Sequence, residues 1–301
     1  MKDLQELPKL RDSISYIYLE HAIIEQNDQS IVALQKDGRI PIPVAATTCL
    51  LLGPGTSVTH AAIRTMEQNG CMVIWCGEKA TRFYASGMGE TRSAKNLLLQ
   101  ADCCMNPDKH MQVVRRMYAL RFPELDTSGM TLQQIRGMEG IRVRKTYELL
   151  GKTTGVKWKK RTYKKDAWEA SDTINQALSE ANAMLYGVCH AAIVSMGFSA
   201  GLGFIHTGRQ LSFVYDIADL YKAETTIPAA FESVAKGGDI HKEIRVRCRQ
   251  YFGMARLMER IPKDLIQLFG GLEESKNAAS AGELWSENGT VPGGTNYGKE
   301  V

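Results

Sequence analysis

The texture of the chain changes once, near residue 85, and that change calls for a two-part fold. Before it, apolar residues come in short runs bounded by turn residues: SISYIYL (13–19), IVALQK (31–36), CLLL (49–52) and CMVIWC (71–76). Short runs of β-branched, aromatic and aliphatic residues read as strands. Asp37-Gly38 lies between two such runs and predicts a hairpin. Pro41 and Pro43 lack the N–H an interior ladder needs, so IPIPV is expected at an edge. One helix interrupts the strands, SVTHAAIRTMEQNG, with Thr56 or Ser57 as its cap and Gly70 as its stop. TRFYASG (81–87) is the last strand. ASGMGETRSA (85–94) is small, polar and glycine-containing, as a linker is.

Beyond the linker the apolar period becomes helical almost throughout. AKNLLLQADCC and HMQVVRRMYALRF follow each other across Pro107. TLQQIRGMEGIRVRKTYELLG has Thr131 as a cap and Gly151 as a stop. SDTINQALSEANAMLYGVCHAAIVSMG starts at Ser171 or Asp172 and has Gly197 beyond its end. Ser212 is expected to cap a helix starting at Phe213. A short helix opens near Pro228 and closes at Gly237, and a last one runs through EIRVRCRQYFGMARLMERI. The expected division is a β-rich domain over 1–86, a linker over 87–93 and a helical domain over 94–271. The tail, 272–301, is rich in Gly, Ser, Asn and Glu and is expected to be disordered.

Composition narrows the class. With 44% hydrophobic and 23% charged residues the chain is ordinary globular material. No run approaches the ~18 apolar residues of a membrane span, and MKDLQELPKL lacks a signal-peptide core, so the expected compartment is the cytoplasm. Seven cysteines, an odd number with no Cys-x-x-Cys pair, argue against a disulfide framework or a thiolate zinc site. The net charge is only +4, but it is unevenly placed. RVRKTYELLGKTTGVKWKKRTYKK (142–165) holds ten Lys or Arg and one acid, Glu148, with Tyr147, Trp158 and Tyr163 interleaved. A solvated face mixes signs, so this strip points to phosphates, with aromatics for exposed bases.

Four ionisable residues stand in apolar patterns. Ile135, Glu139 and Val143 recur at helical steps, which puts Glu139 on a buried stripe. A buried carboxylate needs a partner, a proton or a metal; an ion pair with Arg136 or Arg142 on the same helix is the plainer outcome. In FIHTGRQLSFVYDIADLYK (204–222), Phe213, Ile217 and Leu220 form a stripe, and Asp216 and Asp219 share the neighbouring face. Two such carboxylates repel unless a cation sits beside them. Asp-x-x-Asp suits a hard divalent cation, with His206 supplying an imidazole across a turn. Together with the basic strip this points to metal-dependent phosphoryl transfer on nucleic acid, set against structural ion pairs. A prenyl-diphosphate enzyme would want a second acidic motif, which is missing. A non-catalytic nucleic-acid scaffold would leave the acids merely paired. No P-loop, paired-histidine zinc helix or Gly-x-Ser-x-Gly elbow occurs.

In the segments LRDSISYIYLEHA, LLGPGTSVTHAAIR, TRFYASG, QIRGMEGIRVRKTYELL, SDTINQALS, LYGV, GFIHTGRQLSFVYDIADL and IRVRCR, the chain resembles the CRISPR-associated integrase of type I-E systems. This is the universal first CRISPR-associated protein. The segments stand in the family's order from about residue 10 to about 270. The resemblance implies an α+β fold: an N-terminal β-sandwich followed by a larger all-α C-terminal domain. It implies an asymmetric homodimer, two copies of which flank a dimer of a small ferredoxin-like second CRISPR-associated protein. It also implies capture of a short duplex DNA whose 3′-hydroxyls attack phosphodiesters at the ends of the CRISPR repeat.

Residue by residue, the resemblance makes Glu139, His206 and Asp219 ligands of Mg²⁺ or Mn²⁺ and makes Asp216 their supporting acid. Arg64, Arg82, Arg136, Arg144 and Arg161 match the family's basic DNA positions, as do Lys222 and Arg245. Tyr163, Trp168, Tyr186 and Tyr215 match aromatics near the DNA ends and the active site. Arg209 stands where relatives carry lysine. His21 departs from the pattern, because an aromatic is expected there to bracket the duplex end. A plain metal-dependent nuclease using the same acids is the alternative activity.

Overall fold

The computed structural model describes residues 14–77, 83–87, 94–124, 129–161, 172–272, 283–286 and 289–292. Its first part holds eight strands among the described residues: β1 (Ile14–Leu19), β2 (Ile23–Asn27), β3 (Ser30–Gln35), β4 (Gly38–Ile42), β5 (Thr47–Leu52), β6 (Ser57–Val58), β7 (Met72–Cys76) and β8 (Phe83–Gly87). One helix, α1 (His60–Gln68), lies between β6 and β7. They form two four-stranded sheets, ordered β1-β5-β7-β8 and β4-β3-β2-β6. β1, β5 and β7 run parallel and β8 antiparallel. Gln35 pairs with Gly38 across the expected hairpin, and the proline-containing β4 is an edge strand.

Why CLLL and MVIWC are apolar at every position follows from the packing. Leu50, Leu52 and Val73 face Ile24, Ile31 and Ala33 of the other sheet, with α1 closing the sandwich through Ala62 and Met66. Cys49, Leu51, Met72, Ile74 and Cys76 point the other way, onto Ala191 and Val194 of the helical domain. A sheet buried on both faces shows no alternation. The cap of α1 is Thr59, whose side chain accepts from the Ala62 amide, rather than Thr56 or Ser57.

The helical part comprises α2 (Lys95–Met105), α3 (Pro107–Arg121), α4 (Leu132–Thr154), α5 (Thr173–Ser195), α6 (Ser212–Asp219), α7 (Thr226–Lys236), α8 (Ile240–Met254) and α9 (Leu257–Phe269). α5 is buried around most of its circumference and lies at the centre, packed on α6, α7, α8 and α9. Asp172 caps it. Three sequence expectations are corrected. α4 passes through Gly151 to Thr154. The last predicted helix is two, broken at Arg256, which adopts a left-handed φ of 47°. Ser212 is the first residue of α6, and its Oγ accepts from the Arg209 amide instead of capping the helix. Within the tail expected to be disordered, β9 (Glu283–Ser286) and β10 (Gly289–Pro292) pair antiparallel, which corrects that expectation for these two strands. No helix among the described residues is long and apolar enough to cross a membrane.

Candidate functional site

The three residues expected to ligate a metal come from α4, the loop before α6, and the end of α6. α6 is short and strongly amphipathic: Phe213, Val214, Ile217 and Ala218 are buried, and Asp216 goes in with them at 1% exposure. Burying a carboxylate this deeply demands full satisfaction. Asp216 has it. Its Oδ2 accepts the amides of Phe204 (2.6 Å) and Ile205 (3.0 Å), and its Oδ1 accepts the amide of His206 (2.8 Å) and faces His206 Nδ1 at 2.7 Å. A carboxylate can only accept, so Nδ1 carries the hydrogen and Nε2 is the nitrogen left for a ligand. The hydrogen bond to Asp216 raises the His206 pKa above its ordinary value against the opposing effect of burial, and nearby Asp219 adds to the rise.

Glu139 and Asp219 meet around one arginine. Arg121, the last residue of α3, pairs through Nη1 with Glu139 Oε1 and lies 3.9 Å from Asp219 Oδ2. Glu139 Oε2 also accepts from the Tyr118 hydroxyl at 3.1 Å. Burial, with the Glu139 charge adding to it, pushes the Tyr118 pKa up to about 12. Asp219 Oδ1 pairs with Lys222 Nζ at 2.6 Å. Burial alone would lower the Lys222 pKa, but Asp219 and Tyr186 together raise it, so the ammonium stays charged. The partner of Glu139 is thus on α3; Arg142, one of the two expected on its own helix, pairs with Glu124.

Among the described residues no three His, Cys, Asp or Glu side chains converge at ligating distance. The donor set nevertheless fits a hard divalent cation in kind: two carboxylates and an imidazole whose orientation is fixed by a buried acid. Arg121 and Lys222 are the cations that balance these carboxylates in the structure.

With this geometry in view, the comparisons are decisive. A Thermus thermophilus protein named CRISPR-associated endonuclease Cas1 2 is 47% identical over 99% of this chain and 94% of its own length. The chain belongs to the Cas1 family. The Escherichia coli CRISPR-associated endonuclease Cas1 is 44% identical over 84% of this chain and 83% of its own length. The crystal structure of a TtCas1–DNA complex superposes with a TM-score of 0.75 at 49% identity, covering 88% of this chain and all of that one. The family profile, described as CRISPR associated protein Cas1, matches residues 123–244, which contain Glu139, His206, Asp216 and Asp219.

The residues expected from the sequence to contact DNA fall into separate groups. Tyr186, Tyr215 and Lys222 cluster at the site. The two tyrosine rings meet edge-on at 5.0 Å, Tyr215 meets His206 at 5.9 Å, and Lys222 Nζ lies 4.9 Å from the Tyr186 centroid. Arg136 is exposed on α4, and Arg209 is exposed on the loop after His206. Arg144 is exposed further along α4, and Arg64 is exposed on α1 of the β-domain. Arg161 spends its guanidinium internally, donating to Asn175 and Ser179 of α5. Arg245 lines a cavity between the domains together with Tyr18, Leu51 and Ala191, and its Nη1 is buried without a hydrogen-bond partner among the described residues. Arg82, Tyr163 and Trp168 lie outside the described residues. Tyr147 and Trp158, read from the sequence as base platforms, stack on each other at 4.4 Å and pack against core Phe231. His21 adopts a left-handed φ of 51° between β1 and β2.

Sequence reasoning missed Tyr118 and Arg121. They stand three apart on α3 and so share a face, but a tyrosine and an arginine on an amphipathic helix carry no signal of their own.

Proposed function

We propose that this Cas1-family chain is a metal-dependent DNA integrase of the type I-E branch. In this reading it inserts new spacers into a CRISPR array by attack of a 3′-hydroxyl on a repeat phosphodiester. The observation that carries the reading is the buried Asp216, which fixes His206 near Asp219, a carboxylate that shares one guanidinium with Glu139. Glu139, His206 through Nε2, and Asp219 would hold Mg²⁺ or Mn²⁺, which lowers the pKa of an attacking hydroxyl and offsets charge on the phosphate. The chain's own groups do the rest. Asp216 keeps His206 in one tautomer. Lys222, held cationic by Asp219 and Tyr186, faces the phosphate with fixed positive charge. Tyr186 and Tyr215 offer aromatic surface beside it. No nucleophilic side chain is required, so no covalent protein–DNA intermediate forms.

The partners in this reading are a prespacer duplex with 3′ ends, the CRISPR repeat and the small ferredoxin-fold second CRISPR-associated protein. The chain works as a homodimer, two dimers flanking the partner dimer, in the cytoplasm. Hydrolysis by the same acids is the second reading, and the relatives' name of endonuclease favours keeping it in view. One assay separates the two. A labelled duplex is incubated with a supercoiled repeat plasmid, Mn²⁺ and the small partner protein. Joined product supports integration, and nicked plasmid alone supports the nuclease. Alanine at Glu139, His206 or Asp219 is expected to abolish joining; joining retained by all three variants refutes the assignment.

A further inference from the structure

His206 sits on a loop, and that loop is gripped from outside the site. Residues 196–211 connect α5 to α6, and several carry little or no side chain to anchor the chain: Gly197, Ala200, Gly201 and Gly203. Backbone groups in such a loop must still find partners. The amides of Phe204, Ile205 and His206 all donate to Asp216 on α6. The carbonyls of Met196, Ser199, Leu202 and Phe204 turn towards α2 and α3, while that of Ala200 accepts the Phe213 amide of α6.

On α2, Asn96, Gln100 and Cys104 are spaced by four, so they lie along one face. Asn96 Nδ2 donates to the Met196 carbonyl at 2.7 Å. Gln100 has no solvent exposure. Its Nε2 donates to the carbonyls of Ser199 (3.0 Å) and Leu202 (2.8 Å), and its Oε1 accepts the Ser199 amide at 2.7 Å. Cys104 Sγ approaches the Leu202 carbonyl at 3.7 Å. On α3, His110 Nε2 lies 2.9 Å from the Phe204 carbonyl, and its ring packs on the Phe204 ring at 5.2 Å. The turn between these grips is tight: a Cβ on Gly203 would lie 2.2 Å from the His206 carbonyl oxygen.

We infer that Gln100 and His110 are positioning residues for His206, acting from α2 and α3 as Asp216 acts from α6. A leucine would fill the Gln100 space with better apolar packing. The amide earns its place only through the three backbone groups it satisfies, all on the loop that delivers His206. α2 is also the first helix to follow the β-domain along the chain. The inference rests on the reading of His206 as a metal ligand, and its test separates the two.

Full-length protein is prepared with ¹⁵N-labelled histidine, without metal, in alkaline buffer where the His206 ring is neutral. Wild type is expected to show one tautomer, with hydrogen on Nδ1. Gln100→Leu, Gln100→Glu and His110→Phe are expected to move the His206 ring shifts towards a mixture of tautomers. They are also expected to weaken Mn²⁺ binding, followed by calorimetry, about tenfold, equivalent to about 1.4 kcal/mol. His110→Gln, which keeps a donor towards the Phe204 carbonyl, is expected to recover most of both effects. A merely structural role would lower the melting temperature and leave the ring shifts in place. Unchanged His206 shifts in folded Gln100 and His110 variants overturn the inference. If the Gln100 variants do not fold, the contrast between His110→Phe and His110→Gln decides it. If wild type binds no Mn²⁺, the metal reading fails, while the ring shifts still decide the positioning role.

Discussion

At Arg121 a single guanidinium nitrogen faces both Glu139 and Asp219, so this side chain occupies the position a bound cation would compete for. Replacing Arg121 by alanine leaves the two carboxylates with the Tyr118 hydroxyl and the Lys222 ammonium as partners among the described residues. In chelator the variant is expected to be less stable by roughly 1–3 kcal/mol, the usual cost of stripping one partner from a partly buried charged group. Added Mg²⁺ or Mn²⁺ should then raise its melting temperature more than it raises that of wild type, because no guanidinium has to give way. Thermal melts of both proteins across a metal titration check this, and equal shifts would refute it. At this scale the sequence exposes residues that break a pattern. Glu139 is legible because an acid interrupts an apolar stripe, and Asp216 because it stands three residues from Asp219 on the face beside one. Arg121 breaks nothing, and its role comes from α3 and α4 meeting in space. Tyr147 and Trp158 show the converse: aromatics among lysines look the same in sequence whether they face a base or, as here, Phe231.

Elements were easiest to place where the apolar pattern started or changed period, and hardest where it simply continued. β1, β3, β5, β7 and β8 follow the quoted runs. The polar β2 and the two-residue β6 are strands only because β3 and β2 pair with them. α8 and α9 carry one unbroken apolar pattern, and only the backbone at Arg256 separates them. Gly151 misled for a physical reason. Glycine past the last apolar residue usually ends a helix, but here it sits inside α4 to admit a close neighbour. A Cβ at Gly151 would lie 3.2 Å from the Val156 carbonyl oxygen and 3.3 Å from Trp158 Cβ, where the chain folds back along the helix. Gly151→Val is therefore expected to destabilise by about 1–3 kcal/mol through overpacking. It should also disturb the Tyr147–Trp158 stack, so the tryptophan fluorescence of the folded variant should change along with its denaturation midpoint. Unaltered fluorescence and midpoint would show that the returning chain moves aside freely.

Taken whole, the molecule is a sandwich set against a helical bundle, and α5 joins them by packing against the outer face of the first sheet. That division was readable from the change of period near residue 85. The contact between the parts was not, because cysteines and leucines on a two-faced strand do not say which neighbour covers them. One buried histidine of α5 has a consequence for acid stability. His190, on α5 beside Ala191, is 6% exposed, and burial lowers its pKa from 6.5 to about 4. Below pH 6.5 the unfolded chain takes up a proton at His190 that the folded protein refuses until about pH 4. The unfolded state binds more protons across this window, so stability falls as pH falls through it. Between neutrality and pH ~5 the loss from this one group is about 2 kcal/mol. His206 works in the opposite sense: its raised pKa adds stability as pH falls through its folded value, and that contribution is fully present below its unfolded value. The comparison that isolates His190 is therefore a difference of differences. Urea unfolding of wild type and of His190→Leu is measured at neutral pH and near pH 5. The variant is expected to lose about 2 kcal/mol less than wild type over that step. Equal losses would mean that the histidine reaches solvent.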